Sequence, residues 1–250
     1  MTRVPGSGLV DDVVAQMRSR LDALPTGSPR RPFLSTYLRT TQAVGDAVVA
    51  GRFLDPDWVE RWDVAFAELY LQAHDAFVEG RTAAVPRPWR LAFAAPDDLP
   101  ALRHVLLGIN AHVNYDLPQA MLSVITPADF ADEALIGRRR RDHESIDGVL
   151  GERVKDEDEL LGDARTLLDR LLAPLNRLGS KRFLREAREK VWHNVEALQA
   201  DRLEGASVYA ARLGELEVLS AARIADLLAP GQVLLRLAVA GFGVVLPPAG

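Results

Sequence analysis

Six side chains in this sequence are of types that bind metal ions, at spacings that helices can bring together: His74, Asp75, His104, His112, Asp116 and His143. His112 and Asp116 are four residues apart, one helical turn, so both can reach one ion, or the carboxylate can orient an imidazole that binds it. They belong to the stretch Leu99–Leu122, LPALRHVLLGINAHVNYDLPQAML. Val105, Ile109 and Val113 recur every fourth residue there and, with Leu106 and Leu117, fill one helical arc. Asp116 falls inside that arc and His112 at its edge, with His104 two turns earlier. A carboxylate aimed at a core requires a partner, because desolvating a lone charge is costly. Asn110 and Asn114 form a second polar pair on the opposite flank, placed to line a pocket or to bond a neighbouring helix.

Histidines and carboxylates converging from facing helices are how helical proteins build metal sites. Nitrogen and oxygen donors suit zinc first, then manganese or iron. An ion with one open position would acidify its bound water for attack on a phosphoester. That is the first functional reading, a metal-dependent hydrolase, although no residue stands out as the acid for the leaving group. The second is a non-enzymatic helical protein in which the same residues form a buried polar network, line a small-ligand pocket, or support a partner-binding surface. The hydrolase requires His104, His112, Asp116 and His143 to meet at the foot of an open pocket. The alternative leaves them scattered, or sealed and paired.

The elements that must position these residues read as helices. Leu9–Leu24 carries an apolar stripe of Val10, Val13, Val14, Met17 and Leu21 and ends in LPTGSP. A second helix runs from Arg31 or Pro32 to about Ala50. Asp55 and Pro56 cap a third, whose face of Trp58, Trp62, Phe66, Leu69 and Phe77 has His74 at its margin and Asp75 outside. Residues 81–98, with three prolines, read as a long loop tacked down by Trp89 and Phe93. Thr126–Pro127 opens a helix to about Leu150 that carries His143 on the stripe of Ile136, Ile146 and Leu150. Leu160–Leu178 is apolar with a break at Pro174. Gly179–Ser180 separates it from a helix over 181–204, with His193 facing outward. Helices over 207–228 and 232–246 complete the chain. The expectation is an all-α, single-domain bundle of about seven or eight helices, with a loose leader at 1–8, a core over 9–205 and two C-terminal helices packed on it.

Composition narrows the class. An apolar share of 48% can fill a core, and an aromatic share of only 6%, with abundant Ala and Leu, favours helices over a β-sandwich. The net charge of −5 gives no footprint for nucleic acid, and the run Arg138–Arg141 fits a solvated helix face. With no cysteine, disulfides, thiolate zinc sites and cysteine nucleophiles are excluded. No phosphate-binding glycine loop or dinucleotide fingerprint occurs, so no nucleotide cofactor is expected. No apolar run is long enough for a transmembrane segment, and the N-terminus has no signal-peptide pattern, which together lead to a cytoplasmic expectation. Oligomeric state stays open.

The block Gly108-Ile109-Asn110-Ala111-His112-Val113-Asn114-Tyr115-Asp116-Leu117, with Phe66, Leu69, Tyr70, His74, Asp75 and Phe77 upstream, resembles a mostly actinobacterial, all-helical family of unknown function. That resemblance covers most of residues 9 to about 205 and implies the fold without an activity. A fainter likeness, carried by His112 and Asp116 as His-x-x-x-Asp, is to the helical zinc-dependent phospholipase C and single-strand nuclease superfamily. It implies that this pair contributes to a zinc cluster. In those enzymes the motif continues to another His after a Pro-Leu step, whereas here Leu117-Pro118 leads to Gln119, Ala120 and Met121. Their N-terminal tryptophan ligand also has no counterpart, so the likeness implies one or two ions at most.

Overall fold

The computed structural model describes residues 7–161, 177–231, 241 and 243–248. Regular structure among them is all-α, with no strand. Helix α1 (Ser7–Ala23) packs on α2 (Arg31–Val49), and α3 (Pro56–Val78) lies against both. Helical structure already begins at Ser7, inside the expected leader. Arg31 donates to the Leu21 and Leu24 carbonyls, both at 2.6 Å, satisfying acceptors at the end of α1 that have no intrahelical donor. Asp55 caps α3 as its residue type and the following proline lead one to expect, accepting from the Trp58 amide at 3.2 Å.

Residues 81–98 differ from the expected loop. They contain a 3-10 turn (Thr82–Ala84) and helix α4 (Arg87–Phe93). Pro88 sits in the first turn of α4, where its missing N–H costs nothing. Trp89 and Phe93 then stack one turn apart, with centroids 5.0 Å apart, and bury the helix against the core.

The helix expected over Leu99–Leu122 is interrupted. It consists of α5 (Ala101–Ala111), a π-helical turn (His112–Asp116) and α6 (Leu117–Val124). In the turn the Leu117 amide reaches back five residues to the His112 carbonyl. This wider turn shifts the phase of the helix. Leu106, Leu107 and Ala111 join one apolar cluster with Met17, Leu34 and Trp89, while Leu117, Met121 and Leu122 join another with Trp58, Trp192 and Leu198. Gly108 lets α5 approach α2: a Cβ there would lie 2.3 Å from the Phe33 ring.

The helix expected to run from Thr126 to Leu150 is two helices. Thr126 and Asp129 form a capping box around α7 (Pro127–Phe130), and Asp132 then caps α8 (Glu133–Leu161) by accepting from the Leu135 amide. Asp142 of α8 accepts from the Leu54 and Asp55 amides at 2.8 and 2.7 Å, holding the entry of α3. Helix α9 (Arg177–Glu204) includes Gly179 and Ser180, so they do not separate helices. Gly205 joins it to α10 (Ala206–Leu228). Most of the expected Leu160–Leu178 segment, including Pro174, lies outside the described residues.

The expected helix over 232–246 is not seen where the chain is described. Residues 232–240 and 242 lie outside the described set, and 243–248 are non-helical. The backbone of Gly241 and of residues 243–247 is bonded by side chains from α9, α10 and the π turn, which replace the bonds of a helix. Among the described residues, no helix is long and apolar enough to cross a membrane.

Candidate functional site

The π turn places His112 and Asp116 together in the interior. His112 Nδ1 lies 2.8 Å from Asp116 Oδ2, and both residues are buried. The same oxygen accepts from the Trp89 indole N–H at 2.7 Å. Burial lowers the His112 pKa, and the bond to Asp116 and its charge oppose that fall. Burial raises Asp116, and the bonds from His112 and Trp89 oppose that rise.

Aromatic rings enclose the imidazole. Phe66 stacks face to face on it at a centroid distance of 3.5 Å, and Tyr37 meets it edge-on at 4.4 Å. Phe33, Tyr70 and Trp89 complete the walls, all with centroids about 6 Å away. His112 Nε2 is buried with no hydrogen-bond partner. A general base or metal ligand needs its reacting nitrogen open to substrate or ion, and His112 Nε2 is closed off from solvent.

The other candidate residues lie elsewhere. His104 is buried with Nε2 unbonded, beside a cavity of about 10 Å³ lined by Arg30, Phe33, Trp89 and Phe93. That volume has room for about one water. His143 is fully buried between Trp62 and Trp192, with neither ring nitrogen bonded. Desolvation, and then Arg188 and Arg140, hold its pKa well below the usual histidine value. His74 lies 3.3 Å from Asp75, whose carboxylate takes a two-pronged bond from Arg20 at 2.8 and 2.6 Å. That bond holds Asp75 below its ordinary range, while burial lowers His74. Asn110 donates to the Leu106 carbonyl, and Asn114 donates to Asn110 and accepts from the Val244 amide at 3.3 Å.

The structure therefore brings together only His112 with Asp116 and His74 with Asp75. No group of three or more His, Asp or Glu side chains gathers at ion-binding distance among the described residues. The zinc cluster implied by the His-x-x-x-Asp likeness does not fit this donor set, since each pair lacks a third ligand and His112 is walled by rings.

Three contributors were not visible as partners in the sequence. Trp89 and Asp116 are 27 residues apart, and Arg20 and Asp75 are 55 apart. Asp63, in the middle of α3, is buried with one carboxylate oxygen unbonded, and desolvation followed by Glu60 raises it to about 8. Only its position on the helix, five residues after Trp58 and one after Trp62, hints at burial.

Together these features define an all-helical protein with a sealed polar centre. A model of DUF5995, a family of unknown function, matches residues 10–230, and the chain belongs to that family. No curated protein and no solved structure matches the chain.

Proposed function

We propose that this is a non-enzymatic helical protein whose His112–Asp116–Trp89 network fixes the π-helical turn, and whose role is to bind a partner. The observation that carries this reading is the burial of His112 Nε2: with Nδ1 turned to Asp116, the remaining ring nitrogen is shut off from solvent and has no polar partner. The phosphoester-hydrolase reading needs His112 Nε2 to open to solvent and a third metal ligand to arrive.

Elemental mass spectrometry separates the two. The protein, prepared without chelator or a nickel column, is incubated with zinc and then with manganese and compared with a His112→Ala/Asp116→Ala variant. The expected result is no stoichiometric metal in the parent. Near-stoichiometric metal in the parent, lost in a still-folded variant, overturns the proposal and restores the hydrolase. If the double variant fails to fold, His112→Gln with Asp116 intact serves in its place.

A further inference from the structure

Residues 241 and 243–247 are held as a ligand is held. The Asn194 carboxamide makes a pair of bonds to the strap, donating to the Val244 carbonyl at 3.0 Å and accepting from the Leu246 amide at 2.9 Å. Asn114, on the π turn, accepts from the Val244 amide at 3.3 Å. Lys190 donates to the Gly243 carbonyl at 3.3 Å, and His193 Nε2 lies 3.1 Å from the Leu246 carbonyl. Arg223 and Arg212 donate to the carbonyls of Gly241 and Pro247. Every one of these bonds goes to main chain, so they read an extended backbone whatever its sequence.

Side-chain selection occurs at three points. A Cβ at position 243 would lie 2.8 Å from Lys190 Cδ, so the groove favours glycine there. Leu246 is fully buried in the cluster of Trp192, Val195, Leu198 and Leu216, whereas Val245 is 42% exposed and selects nothing. Pro247 offers no N–H, and only its carbonyl is used. The seated pattern is Gly-x-x-Leu-Pro.

We propose that the groove between α9, α10 and the π turn is a peptide-binding site for an extended Gly-x-x-Leu-Pro segment of a partner protein, occupied in this chain by its own residues 243–247. The amides of Asn114 and Asn194 are the positioning clamps, and Leu246 is the deep anchor among the described residues of the internal occupant. A segment held by main-chain bonds and one apolar side chain competes directly with another segment of the same pattern, and the occupied fraction sets the apparent affinity for the outside peptide. This inference rests on the reading of the chain as a binding protein. The metal measurement can fail without touching the peptide measurement, and the reverse holds.

The test is fluorescence anisotropy with a labelled peptide of residues 241–250, GFGVVLPPAG, added to full-length proteins. Leu246→Ala, which weakens the internal occupant, is expected to bind the peptide at least about tenfold more tightly than the parent. Adding Asn194→Ala to that variant is expected to abolish the gain, as is an aspartate in place of leucine in the peptide. No gain in folded Leu246→Ala, or a gain indifferent to the aspartate peptide, overturns the proposal. If Leu246→Ala does not fold, hydrogen exchange on the unaltered chain decides: the Leu246 amide is expected to exchange at least about a hundredfold faster than that of Val195 in α9. Equal protection of the two amides would make the strap a fixed part of the fold and overturn the proposal.

Discussion

Replacing Asp63 by asparagine should stabilise this protein, by an amount that grows with pH. Asp63 is 7% exposed, has Oδ2 without a partner, and in the folded chain titrates at about 8 rather than near 3.8. The cause is first desolvation and then the neighbouring Glu60. Because the folded value is raised, the folded state holds a proton that the unfolded chain releases, and stability falls as pH rises from 3.8 towards 8. Each pH unit in that window costs about 1.4 kcal/mol, so between pH 4 and pH 7 the loss is about 4 kcal/mol. Asparagine has nearly the same shape and no titration. Its own unmet hydrogen bonds add an offset, but one that does not vary with pH. Urea unfolding of parent and Asp63→Asn at pH 4, 5.5, 7 and 8 measures the difference directly. The expected outcome is a gap that widens by about 4 kcal/mol from pH 4 to 7 and flattens above 8. A gap that stays constant, or one that turns against the variant as pH rises, would refute the burial argument.

Trp89→Phe keeps the aromatic wall around His112 but removes one of the two donors to Asp116. Losing a bond to a buried charged group should cost about 1–3 kcal/mol in urea unfolding at pH 7, and Tm should fall with it. His143→Leu should behave oppositely on the acid side. The folded His143 value is held well below the ordinary one, so its stabilising share is complete above about pH 6.5 and is lost as pH falls below that, at about 1.4 kcal/mol per unit. The variant should therefore gain on the parent between pH 6.5 and 5, as followed by circular dichroism during thermal melts.

The features legible in the sequence were those decided within one or two turns. The Asp55 cap, the Thr126 cap and the His112–Asp116 pair all form between residues three or four apart. What escaped was set by distant contacts. The π-helical turn is a backbone choice that lets α5 and α6 face different clusters, and no periodicity within Leu99–Leu122 announces it. The apolar run near the C-terminus pointed to a helix over 232–246, against the preference of its valines and glycines, and 243–248 are non-helical, with side chains of α9 and α10, some 50 residues earlier or fewer, bonding the backbone instead. His104, His112 and His143 were correctly placed on or beside inward faces, while His74, read at the margin of its face, is buried; but inward faces of different helices looked into different clusters. His143 met Trp62 and Trp192, while His112 met Phe66 and Tyr37.

The wide turn between α5 and α6 also governs how this protein can come apart. Val113, within that turn, and Phe66, stacked on His112, each pack against both apolar clusters. Loosening either cluster frees one face of these two side chains and unseats the imidazole between them, exposing a buried polar pair to the other cluster's weakened wall. The wide turn thus couples the two clusters, beside the helices α2 and α3 that contribute side chains to both. A fold with two cores is thereby given the cooperativity of one.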